Sequence, residues 1–432
     1  MTYFLTLFFM FMVFWRPQEW LMPWLFGWPI LQGVVYAALL TLAMEASNKT
    51  VPFPKTPAIM LSAGLFFASL MSHLAHTYFQ GMINTLPDTF KISFFLILLL
   101  TVMNSVTRLR GVVLVFLLGA VVMSVHAIMQ QTVGFGFGGG TPLPFTRRSG
   151  ELIFQSQFFG IFSDPNDLGQ LLAASVPLAF AFPRRLGPIS FMMAAGVVWL
   201  IGEAMLSTYS RGTLMGVIAM GACMVFLWLP SRWMPYVGVL GLIMGLVMCA
   251  AYGSSMLDAS ASERVAFWGQ ANRAFKHDWL FGIGYNMFGD ISEAARASHN
   301  AYVCCYTELG LFGYWFWFNL LTLGIIGCYR TRVAFRRPRN DTQAYLKRLA
   351  GLSIASLAGF ATSAYFLSRA YVFPFFFLFG LLNAIPMIAQ KHLPEDHPPL
   401  LNFRKDVLLV GTISTLASVA YVYVSILILN RR

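Results

Sequence analysis

Charge is scarce in this chain. Of 432 residues, 11% are Asp, Glu, Lys or Arg, 58% are hydrophobic, and the mean hydropathy is +0.67. These values exclude a soluble domain of this length and set the class as a polytopic helical membrane protein. Acidic residues are the scarcer sign: 29 Lys and Arg against 17 Asp and Glu leave a net charge of +12. No compact basic domain gathers that excess, so nucleic acid is not the expected partner. In a membrane protein the excess marks loops kept in the cytoplasm. Cysteine is sparse as well. Cys223, Cys249, Cys304, Cys305 and Cys328 form no C-x-x-C, which argues against both a disulfide framework and a zinc site. No Asp-x-Asp occurs in the external loops, and Asp164 and Asp167 are three apart. Mg²⁺ and Mn²⁺ need convergent carboxylates, so no metal and no cofactor is expected. The opening apolar segment lacks a small-residue cleavage site and reads as a retained signal anchor. The glycine-rich run 134–140 is not followed by Lys-Ser/Thr; it reads as a flexible connector, not a phosphate loop. No repeat recurs at a fixed period.

What is abundant is apolar sequence. Runs long enough to span a bilayer, or nearly so, fall at about 2–15, 24–44, 57–75, 91–105, 111–131, 168–182, 188–207, 212–230, 235–252, 303–328, 347–367, 371–390 and 406–428. A span takes about 20 residues, so the fold class is all-α with about 12 to 14 transmembrane helices, 13 on this count. Arg108 and Arg110, Arg184 and Arg185, Arg232, the basic stretch 329–348, and Lys391, Arg404 and Lys405 fall on one side if the spans alternate. That side is the cytoplasm by the positive-inside rule. With 13 spans Arg431 and Arg432 then lie outside, unless a short span is re-entrant. The organisation is an N-terminal bundle (1–252), an external loop (253–302) and C-terminal helices (303–432).

The external loop is one polar island, and ionisable groups beside a bilayer are functional-site candidates by default. Ser260-x-x-Glu263 reads as a capping box starting a helix at about Ala261. Arg264, Trp268, Ala271 and Phe275 then share one face of an amphipathic helix lying on the outer membrane surface, apolar face down. An arginine fork held at headgroup level suits a pyrophosphate; the alternative is a side chain snorkelling to lipid phosphate. Arg211, in the short turn Tyr209-Ser210-Arg211-Gly212, has the same two readings, and Gly212 permits close backbone approach. His299 precedes an apolar span. A neutral imidazole there can take a proton, or the histidine can serve as a helix cap. Asn166, in Asp164-Pro165-Asn166, supports the site or belongs to an ordinary capped helix start. Glu308, on an apolar helix, needs a partner such as Arg369; Glu203 sits about two turns before Arg211.

His299-Asn300 is followed by nine residues and Gly310-Leu311-Phe312-Gly313, giving His-Asn-x9-Gly-x-x-Gly. With Arg264 and Ser210-Arg211-Gly212 upstream, this pattern resembles the O-antigen ligase family, membrane glycosyltransferases of GT-C-like architecture. The resemblance runs over about 155–390 and is specific at Ser210–Gly212, Arg264–Trp268, Phe281–Phe288 and His299–Gly313. The stretch Phe14-Trp15-Arg16-Pro17-Gln18-Glu19-Trp20 looks like the Arg-Pro-His-Glu-Trp opening of O-glycosylation ligases associated with exosortase systems, with Gln18 in place of the histidine.

The resemblance implies a bacterial inner-membrane enzyme with a periplasmic site. Its donor would be an undecaprenyl-pyrophosphate-linked glycan, its acceptor a hydroxyl of lipid A core, of a second carrier-linked glycan, or of a protein. It implies His299 as the base, Arg211 and Arg264 on the pyrophosphate, metal-independent transfer, and Asn300, Trp268 and Asn166 in support; Glu308 and Arg369 could shape the same site by their positions. Gly310 and Gly313, one turn apart, would let that helix pack closely. A transporter or flippase is the competing class, but the matched broken helices that would favour it are not seen in the sequence.

Overall fold

The computed structural model describes residues 1–48, 54–147, 150–181, 183, 185, 187–227, 229, 233, 236, 239, 259–291 and 298–430. Its helices are α1 (Thr2–Phe14), α2 (Pro17–Trp20), α3 (Ile30–Ser47), α4 (Pro57–Leu74), α5 (Phe79–Val102), α6 (Val106–Thr132), α7 (Pro165–Ala179), α8 (Pro188–Ser207), α9 (Arg211–Phe226), α10 (Ala259–His277), α11 (Phe288–Ile291), α12 (Ala301–Ala334), α13 (Asp341–Ser363), α14 (Phe373–Gln390) and α15 (Phe403–Leu429). Among the described residues nine are long and apolar enough to cross a membrane, and α1 and α9 are shorter apolar helices. With α7 these account for twelve of the thirteen apolar runs. The run 235–252 lies, except for residues 236 and 239, outside the described residues. The protein is an all-α integral membrane protein with one small hairpin, Leu143–Thr146 against Leu152–Gln155.

Helix starts follow from local chemistry. Thr56, Ser105, Asp164, Ser210, Asn300, Asn340 and Asn402 each accept a first-turn backbone N–H, satisfying donors a helix cannot pair internally. Pro57, Pro165 and Pro188 occupy first-turn positions, where a missing N–H costs nothing. Asp164-Pro165 is thus the ordinary helix start that the sequence allowed. The core forms around α12 and α14, where Trp317, Tyr306, Tyr314, Phe375 and Phe376 are fully buried.

Contacts between loops sort into two ends. At one, Arg185 meets Asp341 at 2.8 Å, Arg330 grips Asp406 at 2.6 and 2.7 Å, and Lys391 donates to the Asn104 carbonyl at 2.9 Å. At the other, His76 Nε2 meets the Gly282 carbonyl at 2.7 Å, and Asn430 donates to the Val265 carbonyl at 3.0 Å. The described basic loops therefore share one end, and the polar island and the C-terminus of α15 share the opposite one. Arg184, Arg232, Arg431 and Arg432 lie outside the described residues.

Three expectations are corrected. The 133–164 connection is folded: the Phe137 N–H donates to His126 Nδ1 at 3.0 Å, Gln130 donates to the Gly140 carbonyl, and Phe137 stacks on Trp20 at 4.6 Å. Glycine supplies positive φ at Gly138 and Gly139, so that run is a tight turn rather than a tether. Next, α10 already includes Ala259, ahead of Ser260, and its apolar face does not lie on lipid. Trp268 and Ala271 are buried, Phe275 meets Tyr306 at 4.8 Å, and Asn272 bonds Tyr306 at 2.6 Å and the Tyr423 carbonyl at 3.2 Å. The Asn272 amide finds partners on α12 and α15 that hydrocarbon could not offer. Finally, Gly310 breaks α12 instead of easing its packing: φ is +62 and ψ −171, a conformation essentially restricted to glycine.

The break is filled by the island. Ile283 and Gly284 donate to the Thr307 and Glu308 carbonyls at 3.0 and 3.1 Å, while Leu311 and Phe312 donate to the Trp279 and Leu280 carbonyls at 2.8 and 3.0 Å. These bonds satisfy the backbone groups that an interrupted helix leaves open. Gly282 and Gly310 lie against each other's chains, where any Cβ would collide with backbone. Residues 301–309 thus form a half-helix carrying His299 and Asn300 at its mouth. Residues 311–334, about 36 Å of helix at 1.5 Å per residue, suffice to cross a bilayer alone.

Candidate functional site

The site assembles at the island end from four segments. The first is the turn between α8 and α9. Tyr209 has φ of +50, Ser210 caps α9, and Arg211 opens it with an exposed side chain. The second is the start of α7: the Ser210 hydroxyl donates to Asn166 Oδ1 at 2.7 Å, and Asn166 donates to Asp164 at 2.9 Å. Asn166 therefore ties the Arg211 turn to α7.

The third segment is the turn from α13 to α14, residues 364–372. Ser363 donates to the Gly212 carbonyl at 3.0 Å, and Phe366 packs on Gly212. The backbones of α9 and α13 also come close one turn deeper, where a Cβ on Gly216 would lie 2.7 Å from the Gly359 carbonyl oxygen. The Ser368 hydroxyl accepts the His299 backbone N–H and lies 3.2 Å from the Ser298 hydroxyl. Arg369 clamps Asp167: its Nε lies 2.9 Å from both carboxylate oxygens and its Nη2 2.6 Å from one. Burial works against the Arg369 charge, but the Asp167 carboxylate outweighs it and raises the guanidinium's pKa.

The fourth segment is the island. Trp268 donates from its indole to the Ser298 carbonyl at 2.7 Å and meets Tyr365 edge-on at 5.5 Å. Arg264, half-buried, is one turn before it on α10. His299 has φ of +48 and is partly exposed, an uncommon conformation for a residue with a Cβ that neighbouring contacts must sustain. The helix cap is Asn300, not His299: its Oδ1 accepts from Tyr302 and Val303 at 3.0 and 3.1 Å. His299 is therefore not needed to end the helix.

Glu308 does not pair with Arg369. It is buried and accepts from the backbone of Asn286 and, at 3.3 Å, of Phe288. The half-helix turns Glu308 toward the 282–288 loop, whereas Arg369 faces α7. Beside it, burial and the Glu308 charge push the Tyr285 phenol well up. Glu203 is exposed on α8 and joins none of these contacts.

Sequence reasoning missed Asp167, Ser368 and Tyr365 as site members. Asp167 carried a usable signal, a second acid in the first turn of an apolar helix that must be matched by a cation. Ser368 and Tyr365 carried none, because their partners are 69 and 97 residues away in Ser298–His299 and Trp268.

The molecule is thus an integral membrane protein in which two arginines, a histidine and an ion pair lie at one end of a helical bundle. A protein-family model described as O-antigen ligase matches residues 195–318. That stretch, the matched domain, runs from within α8 to within α12 and includes Arg211, Arg264, Trp268, His299, Asn300 and Glu308. Asn166, Asp167 and Arg369 lie outside that stretch. A search among curated proteins finds no match. The domain supports a transferase function of the O-antigen ligase and polymerase type.

Proposed function

We propose that the protein transfers a glycan from an undecaprenyl-pyrophosphate carrier to an acceptor hydroxyl at the periplasmic face of a bacterial inner membrane. The observation that carries this reading is the turn 364–369, which contacts the Arg211 turn, His299 and the α7 acid within a few residues. Arg211 and Arg264 hold the pyrophosphate by charge-assisted hydrogen bonds. His299, beside the Asn300 cap, takes the acceptor proton as the hydroxyl oxygen attacks the anomeric carbon. The bond from that carbon to the pyrophosphate oxygen breaks, and the leaving group departs as an anion stabilised by the arginines. Attack opposite the leaving group inverts the anomeric centre. Arg369 is engaged by Asp167 and orients the turn.

The acceptor that fits a ligase is lipid A core; a second carrier-linked glycan or a protein hydroxyl would use the same chemistry. His299→Gln keeps size and hydrogen bonding without useful basicity. It should bind undecaprenyl pyrophosphate normally and transfer glycan about 10²–10⁴ more slowly. The wild-type rate should fall on the acid side, where a base is disabled by protonation, and that limb should vanish in the variant. A glutamine variant at the wild-type rate would remove His299 as the base.

A further inference from the structure

A separate polar cavity lies at the end of the bundle opposite His299, where the basic loops gather. Its volume is about 430 Å³, within the range of small-molecule sites. It opens between the start of α4 and the ends of α5 and α14, with residues 399–401 alongside.

The charge on this wall has one sign. Lys55 and Lys391 line the cavity, and no carboxylate does among the described residues. Lys55 is exposed and has no ion-pair partner among the described residues. Lys391 is also exposed and gives one N–H to the Asn104 carbonyl at 2.9 Å; an ammonium carries three. The hydrogen-bonding groups lean the same way. Gln390 Oε1 accepts the Leu400 N–H at 2.8 Å, and the Leu400 carbonyl accepts from Arg330 at 2.9 Å. These acceptors are engaged, while the two ammonium groups and the Gln390 amide nitrogen keep donors to spare. A concave wall with spare donors and no acid suits an anion.

The surroundings indicate which anion. Pro57, Met387 and Leu401 set hydrocarbon beside the lysines, which a free phosphate would not need. The cavity lies at the ends of the apolar spans α4, α5 and α14, the level at which lipid head groups meet a membrane protein. Basic pockets between spans on the positively charged side attract anionic lipid.

We propose that this cavity binds the head group of an anionic phospholipid. Its phosphate sits between Lys55 and Lys391, the Gln390 amide donates to a head-group oxygen, and the first acyl carbons lie on Met387 and Leu401. The lipid thereby ties the start of α4 to the end of α14. The site takes no part in glycan transfer and is tested apart from it.

The test uses the full-length protein in phosphatidylcholine nanodiscs doped with photoactivatable phosphatidylglycerol, against photoactivatable phosphatidylcholine. Crosslinks from phosphatidylglycerol should map to residues 54–57 and 387–401. They should exceed those from phosphatidylcholine by about 25-fold, about fivefold for each lysine engaged. Labelling should fall about fivefold in Lys55→Gln, which breaks no described contact, and about 25-fold when Lys391→Gln is added. Lys391→Arg keeps the charge and should label as wild type does. Lys405→Gln removes an exposed lysine outside the cavity and should change nothing. Equal labelling by the two lipids, or unchanged labelling in Lys55→Gln, would overturn the proposal. An equal loss in Lys405→Gln would reduce the effect to diffuse surface charge and refute the site. Labelling abolished by excess inorganic phosphate, at matched ionic strength, would make it a free-phosphate site and equally refute the lipid.

Discussion

Asp167→Asn is the perturbation that most directly probes how the site is held. The carboxylate lies against Arg369 Nε and Nη2 at 2.6–2.9 Å, with Asp167 only 6% exposed but Arg369 43% exposed. Removing one partner of a fully buried pair costs roughly 3–5 kcal/mol. Water reaches Arg369, so solvent screening reduces this to about 1–3 kcal/mol. The cost falls on the 364–372 turn, whose Ser368 anchors the His299 backbone. If the loss is spent on site geometry, transfer should slow by about 5–150-fold at saturating donor, since 1.4 kcal/mol is a factor of ten. Rates in nanodiscs should be measured for Asp167→Asn, Arg369→Gln and the double variant, with thermal unfolding as the control on folding. A true pair predicts that the double variant is no worse than the poorer single one. Additive losses, or full activity in Asp167→Asn, would refute the claim that this ion pair sets the site.

Alanine at Arg211 or at Arg264 should weaken donor binding by about 1.5–3 kcal/mol per charge-assisted bond lost, with lysine restoring only part; isothermal titration with undecaprenyl pyrophosphate reads this, and unchanged binding in both would make them membrane anchors. Gly310→Ala should destabilise by at least about 1–3 kcal/mol, because a Cβ there collides with the Leu280 backbone; an unchanged unfolding temperature would show that the break is not fixed. Single cysteines at 290 and 342, in a background lacking the native ones, should react with an impermeant reagent added from outside at 290 and not at 342. The reverse pattern would invert the orientation.

Much of the architecture was legible because its signals are local. Apolar length sets spans, a short side-chain oxygen before a helix sets its cap, and the basic loops declared a common end before any coordinates. Ser210-Arg211-Gly212 reads as a turn on its own. What escaped was long-range. Glu308 looked to need Arg369, yet Asp167 takes that arginine from 202 residues away, and nothing in local spacing distinguishes the two acids. The G-x-x-G of 310–313 fits close helix packing as well as a break; what decides is the arrival of residues 279–284, which the helix itself does not encode. Likewise an amphipathic segment such as α10 has an apolar face whether lipid or protein covers it; what decides is the contact of Asn272 and Phe275 with Tyr306 on α12.

The joint between the island and the interrupted helix is made largely by main-chain groups. Trp279, Leu280, Ile283 and Gly284 contribute amides and carbonyls, as a strand does in a ladder. Such a seam is indifferent to most of the side chains along it, so the outer surface of the loop is free to be recast for a different sugar or acceptor while the histidine keeps its place. The two facing glycines are where that freedom stops. A change of substrate in a protein built this way would therefore be expected to rewrite the island's exposed residues and leave the seam, and the half-helix it supports, mechanically the same.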